Sequence, residues 1–186
     1  MHNSKIKKKI ITLIGPTACN KTSTAVHLIK KFPISIIGVD SVQIYKRFNI
    51  GSAKPPKEIL EKYKHHLVDS ADPENIFSVK DFYDQAYRIV MQAHSNNRIP
   101  LLVGGTMMYF NALFKGINDI PEGNEAIREE LQRELDNRGV DKLFNDLKEI
   151  DPESAKTIKQ NDKQRIMRAI EAVSYTHLRA HETLAD

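Results

Sequence analysis

The chain has one cysteine, Cys19, too few for an internal disulfide or a cysteine-based metal site. No apolar run approaches the roughly 20 residues that cross a bilayer. Lysines precede the apolar patch in "MHNSKIKKKIITLIG", but the patch is short and no small-residue cleavage site follows it. The expectation is a cytoplasmic protein with no membrane partner. No internal repeat is visible, which argues against a solenoid or propeller. One glycine is also missing from a place where a familiar motif needs it, position 20.

What is present fits one domain of ordinary size with a small appendage. The 186 residues, 40% hydrophobic and 28% charged, can bury a core without disulfide or metal staples. The net charge of +4 permits a polyanionic partner without demonstrating one. Strand-like runs fall at "ITLI" (11–14), "ISIIGVD" (34–40) and "IPLLVGG" (99–105), with a weaker one at "HHLVD" (65–69). Each is short and bounded by turn residues, the pattern of buried parallel strands. Helices are expected between them, at 21–31 and most clearly in "SVKDFYDQAYRIVMQAHSN". There Val79, Phe82, Tyr83, Ala86, Ile89, Val90 and Ala93 share a face behind a Ser78–Asp81 capping box. Alternating strands and helices predict an α/β fold.

Beyond residue 115 the strands stop. "GINDIPEGN" reads as a connection, and three apolar stripes follow: Ile127–Leu131–Leu135, Leu143–Leu147–Ile150, and Ile166, Ala169, Ile170 and Val173 behind Asp162 as an N-cap. The last thirteen residues, "SYTHLRAHETLAD", break that pattern and read as a non-native tail of the kind left by a translated sequencing adapter. The boundaries expected are therefore a core at 1–115, a helical insertion at 116–173 and a tail at 174–186. The fold class is a P-loop-type parallel sheet flanked by helices, with a small helical appendage.

Four segments carry chemistry. "GPTACNKT", residues 15–22, matches the phosphate loop G-x-x-x-x-G-K-[ST] except at Asn20. Successive backbone N–H groups at such a strand-to-helix turn cradle an anion. Lys21 adds a positive charge, and Thr22 a hydroxyl for Mg2+. Asn is among the few residues besides glycine that adopt a left-handed backbone, so the substitution is expected to weaken the loop rather than abolish it. In "VDSVQIYKRFNIGSAKP", Asp40 follows a strand end, where a carboxylate serves as a base, a magnesium partner or a helix cap. In "PLLVGGTMMYF", glycines permit close approach and Thr106 offers a hydroxyl. Ligands of open α/β sheets bind at this edge. In "NDKQRIMRAIEAV", Gln164 and Arg168 share a helical face with Arg165 adjacent, suited either to RNA or to plain solvation.

These segments, with "HHLVD" and the "DP" soon after it, stand in the order and spacing of the tRNA dimethylallyltransferases, also called tRNA isopentenyltransferases. The chain resembles that family from Ile11 to about Val173 and departs from it at Asn20 and in lacking its C-terminal part. The resemblance implies transfer of a dimethylallyl group from dimethylallyl diphosphate to the exocyclic amine of the adenine adjacent to the anticodon in tRNA. It implies that Gly15, Pro16, Thr17, Ala18, Cys19, Asn20, Lys21 and Thr22 hold the pyrophosphate, with Mg2+ at Thr22. Asp40 would take the amine proton, and Thr106 would position the reacting ends. Asp40, Ser41, Val42 and Gln43 would line the adenine side, while Arg128, Gln164, Arg165, Ile166, Met167 and Arg168 would touch the tRNA anticodon loop. A monomer is expected. Two other readings stand beside this one: a P-loop kinase of a small molecule or nucleotide, and a truncated, inactive RNA-binding remnant. Three tempting features are set aside. His65-His66 is taken as structural rather than a metal pair, Cys19 as a small-slot filler, and Met107-Met108 as core.

Overall fold

A computed structural model describes residues 9–117 and 125–182, with side chains of the second stretch described to residue 174. The chain divides into two compact units, Met1–Ile117 and Asn118–Asp186. The break falls two residues beyond the connection start expected from composition; most of that connection lies outside the described residues.

The first unit is a four-stranded sheet, all of its pairings parallel: β1 (Ile11–Ile14), β2 (Ile34–Val39), β3 (His65–His66) and β4 (Ile99–Gly104), in the order β1-β4-β2-β3. Its helices are α1 (Lys21–Ile29), α2 (Lys57–Lys62), α3 (Val79–Ser95) and α4 (Met107–Lys115). Alternation along β2 and β4 feeds two cores. Ile34, Ile36 and Leu101 pack with Ala25 of α1. Ile37, Val39 and Leu102 pack with Phe82, Ala86 and Val90 of α3 and Tyr109 and Phe110 of α4. Both faces of the central strands are covered, which is why these strands read as unbroken apolar runs.

The α3 capping box forms as expected: Ser78 Oγ accepts from the Asp81 N–H, and Asp81 accepts from the Ser78 N–H at 2.9 Å. Three expectations need correction. β1 is an edge strand rather than a buried one, with Ile11 and Ile14 more than 40% exposed. β3 is only two residues long, because Leu67 and Asp69 turn to positive φ and end it. Met107 and Met108 are exposed on the first turn of α4 rather than packed as core. The unexpected helix α2 starts beside Pro55-Pro56, and its six residues are too few for an apolar stripe to be read.

The second unit holds α5 (Glu125–Arg138), α6 (Val140–Ile150), α7 (Pro152–Thr157) and α8 (Lys163–Glu182). The three stripes meet in one core of Leu131, Leu135, Leu143, Phe144, Leu147, Ile166 and Ile170, while Ile150 lies outside it, 46% exposed. α7 was not foreseen: six residues are too few for a stripe, but Asp151 caps it through the Ser154 N–H and Pro152 occupies its start. Asp162 accepts from the Arg165 N–H as an N-cap should. α8 runs past Val173 to Glu182, since no glycine or proline stands there to stop it. Residues 183–186 of the tail lie outside the described residues.

Candidate active site

β1, β4 and β2 end level with one another: Ile14 pairs with Gly104, and Gly104 with Val39. The three segments singled out after these strands therefore share one rim. Their closeness depends on absent side chains. A Cβ on Gly104 would overlap the Val39 carbonyl, so no other residue lets β4 meet β2 here. A Cβ on Gly15 would lie 2.7 Å from Cys19 Sγ. Cys19 is exposed and closes over Gly15, a tighter role than filling a slot.

The loop after β1 leads through two left-handed residues into α1. Asn20 stands at φ 60°, ψ 24°, the left-handed conformation expected of it, and Ala18 adopts φ 65° as well. Asn20 caps α1 with its carbonyl, which accepts the Thr24 N–H at 3.1 Å, but not with its side chain. The first-turn amides thus have no capping side chain, leaving them free to face an anion. Lys21 Nζ folds back across the loop, donating to the Gly15 carbonyl at 2.8 Å and the Pro16 carbonyl, with Cys19 Sγ 3.6 Å away. Thr22 is half-buried and lines a cavity of about 500 Å3 with Val26, Lys30, Lys54 and Pro56.

Asp40, one residue past β2, fulfils the capping role among its three sequence readings. Its Oδ1 accepts the Val42 and Gln43 N–H groups at 2.9 and 3.1 Å, which is turn capping. Oδ2 has no partner among the described residues. A carboxylate so fixed through one oxygen presents the other in a defined direction. Across the rim, Thr106 Oγ1 accepts the Ser41 N–H at 3.0 Å, while the Thr106 N–H donates to the Val39 carbonyl at 3.2 Å. Asp40 and Thr106 are tied together through Ser41. Val42 is 47% exposed, and Gln43 donates through Nε2 to the Ser52 and Ala53 carbonyls.

Two residues here escaped sequence reasoning. Lys54 has a side chain only 3% exposed; its ammonium donates to the Tyr45 carbonyl at 2.9 Å, Asn49 Oδ1 at 3.3 Å and Asp69 Oδ1 at 2.6 Å. Two of these bonds close residues 45–54 on themselves and the third ties them to Asp69, three residues past β3; the pairing of "SAKP" with "HHLVD" was the available signal. Tyr109 stacks on Phe82 with ring centroids 4.1 Å apart. Burial, then the nearby hydroxyl of Tyr45 and the charges of Asp40 and Asp81, push its phenol up to about 12.

In the helical unit the predicted RNA contacts divide. Gln164 and Arg165 are exposed, and Arg165 lies 3.5 Å from Asp162. Arg128 and Arg168 are half-exposed and pair with the same carboxylate, Glu171, at 3.0 and 2.6 Å; Glu171 itself is 2% exposed. Ile166 is fully buried and Met167 packs against the same core. The expectation that Ile166 touches RNA is corrected: consecutive helical residues point in different directions, so a contact face cannot include all of 164–168.

No group of three or more His, Cys, Asp or Glu side chains that could hold a metal is found among the described residues. His65 and His66 are both half-buried on β3. His65 Nδ1 donates to the Tyr63 carbonyl at 2.6 Å, and burial lowers the pKa of both rings. Nor is any helix among the described residues long and apolar enough to cross a membrane.

A parallel sheet whose strand ends bring a glycine-bounded turn, a half-fixed carboxylate and a threonine to one rim defines a P-loop-type α/β protein. The chain belongs to the IPP transferase family, whose model matches residues 43–186. That span begins after the phosphate loop and includes the tail set apart above. The tRNA dimethylallyltransferase of Dichelobacter nodosus is 44% identical over 90% of this chain and 52% of its own length. That of Vesicomyosocius okutanii is 45% identical over 90% and 55%. Among solved structures, the full-length tRNA isopentenylpyrophosphate transferase of Bacillus halodurans aligns with a TM-score of 0.58 at 39% identity, covering 90% of this chain and 56% of that one. A eukaryotic dimethylallyltransferase acting on tRNA aligns with a TM-score of 0.74 at 26% identity, covering 91% and 44%. The chain spans about half the length of the curated relatives it matches.

Proposed function

We propose that this chain is the donor-binding and proton-accepting part of a tRNA dimethylallyltransferase. The observation that carries the reading is the shared rim, where Asp40 keeps Oδ2 unpartnered beside Thr106 and the loop ending at Lys21 and Thr22. The names of the relatives supply the group transferred and the acceptor.

In this reading the loop amides and Lys21 hold the pyrophosphate of dimethylallyl diphosphate. The exocyclic amine of the adenine beside the anticodon attacks the allylic carbon as the carbon–oxygen bond to pyrophosphate breaks. Negative charge gathers on the leaving group, where the loop donors and Lys21 offset it. The amine becomes acidic as its new bond forms, and Asp40 Oδ2 takes the proton. Thr106, tied to Ser41, keeps the two strand ends in register for that transfer. Thr22 would offer one hydroxyl to a magnesium ion, since no carboxylate cage is found among the described residues. When bound, that ion neutralises the pyrophosphate.

The test is incubation of the uninterrupted parent protein with labelled dimethylallyl diphosphate, magnesium and unmodified tRNA. Labelled tRNA with stoichiometric pyrophosphate is expected. ATP consumption with no label in tRNA would restore the kinase reading, and tRNA binding with no turnover would restore the inactive RNA-binding one.

A further inference from the structure

β2 runs six residues from Ile34 to Val39, so its two ends lie roughly 17 Å apart at the usual rise per residue. At the end away from the rim lies a cavity of about 410 Å3, lined among others by Ser35, Tyr63, Lys62, Lys64, His66 and Arg98. It lies within the usual range for small-ligand sites, roughly 300–1,000 Å3. No carboxylate lines it. None of the four basic side chains has an ion-pair partner among the described residues.

Neutral groups hold two of these side chains, Arg98 and Lys62, in place instead. Arg98 Nε donates to Ser35 Oγ at 3.0 Å, and its terminal nitrogen to the Ile34 carbonyl. Such acceptors fix the guanidinium plane and leave its charge uncancelled. The Lys62 and Lys30 ammonium groups stand 5.8 and 5.9 Å from the Tyr63 ring centroid, a cation–π separation. The pKa of His66 is lowered by burial first, then by the charges of Lys64, Arg98 and His65. With Lys62, Lys64 and Arg98 on its wall and no carboxylate, the cavity carries net positive charge. A helix C-terminus attracts cations and accounts for Lys62, which closes α2. It does not account for Lys64, His66 and Arg98, which lie on or beside strands β3 and β4.

We propose that this cavity is a second anion site, directed at the phosphate group of a nucleotide and separate from the loop after β1. Arg98 supplies a planar donor pair, Lys62 and Lys64 mobile charges, and His66 a ring N–H, while the Tyr63 ring and the remaining volume accept what the phosphate carries. The phosphate comes either from a free mononucleotide or from an RNA backbone.

The full chain, isotope-labelled, is titrated by NMR with inorganic phosphate, AMP and a short single-stranded RNA. The His66 ring and Lys64 amide report this cavity, and the Lys21 amide reports the loop after β1. Saturable shifts at His66 are expected with AMP or RNA, weakened about tenfold in K62Q/K64Q, two exposed charges whose loss leaves the packing alone. Unchanged Lys21 shifts in that variant would confirm the separation of the two sites. Tighter AMP than RNA identifies a free nucleotide as the source, and the reverse order an RNA backbone. Shifts at Lys21 with none at His66, or equal affinity in K62Q/K64Q, would overturn the proposal.

Discussion

In the α/β unit the buried charge is a cation, Lys54, closed in by two neutral oxygens and the partly exposed carboxylate of Asp69. In the helical unit it is an anion, Glu171, clamped by two half-exposed arginines. The first arrangement ties loop to strand and keeps Lys54 for structure. The second leaves both arginines partly in solvent, oriented by a carboxylate that cannot move. In the α/β unit, site residues are placed by backbone: strand ends, turns and a glycine that admits no Cβ. In the helical unit they are placed by side-chain ion pairs on helices. The two modes respond differently to substitution.

The comparison is broken most forcibly at Asp40. Asp40→Asn retains the Oδ1 bonds from Val42 and Gln43 and removes the base. In the parent protein, turnover of tRNA should fall about 10²–10⁴-fold with donor affinity little changed. A near-normal rate would leave Asp40 a turn cap and nothing more. Gly104→Ala comes next, because its Cβ meets backbone rather than a movable side chain. A loss on the order of 3 kcal/mol is expected, at the upper end for overpacked positions. Urea unfolding monitored at the sheet is the measurement, and a loss below about 1 kcal/mol would show that β2 and β4 can separate cheaply.

Glu171→Gln sharpens the contrast. It keeps the shape and removes the charge that both arginines share, at a cost of about 1–3 kcal/mol for leaving charged donors poorly matched. The cost should stay local. Amide exchange at Leu143 and Leu147 should accelerate while Ile36 and Leu101 remain protected, whereas Lys54→Met should do the opposite. Equal acceleration in both units after either change would mean that they unfold as one, and the contrast would fail.

This difference in mode also explains what could be read from the letters. Asp40, Thr106 and the loop were legible because strand ends are marked by short apolar runs and glycine, and parallel pairing brings those ends to one edge. Lys54 was not, since nothing local tells a lysine in "SAKP" that it will be buried 15 residues from its carboxylate. Glu171 was missed for the same reason: its clamp spans 43 residues to Arg128, and a Glu on a helix beside arginines reads as a solvated pair. The edge position of β1 was illegible too, because "ITLI" is as apolar as β2 and only sheet order tells them apart.

The smallest expected effect returns to position 20. Asn20 is held at φ 60°, where a side chain costs on the order of 1 kcal/mol relative to glycine, and its amide caps nothing in the loop. Asn20→Gly removes that strain and lets a phosphate approach the backbone more closely. Lys21 must also exchange its bonds to the Gly15 and Pro16 carbonyls for bonds to the incoming phosphate. A loop free to relax at residue 20 makes that exchange easier. Pyrophosphate and dimethylallyl diphosphate should therefore bind several-fold more tightly, given that about 1.4 kcal/mol is tenfold. Affinity for tRNA alone should not change. Stability need not rise, because glycine also gives the unfolded chain more freedom. Calorimetric titration of both variants with pyrophosphate decides it. Equal or weaker binding to the glycine form would show that the asparagine amide itself reaches the phosphate, and that the departure from the motif is a substitute donor rather than a defect.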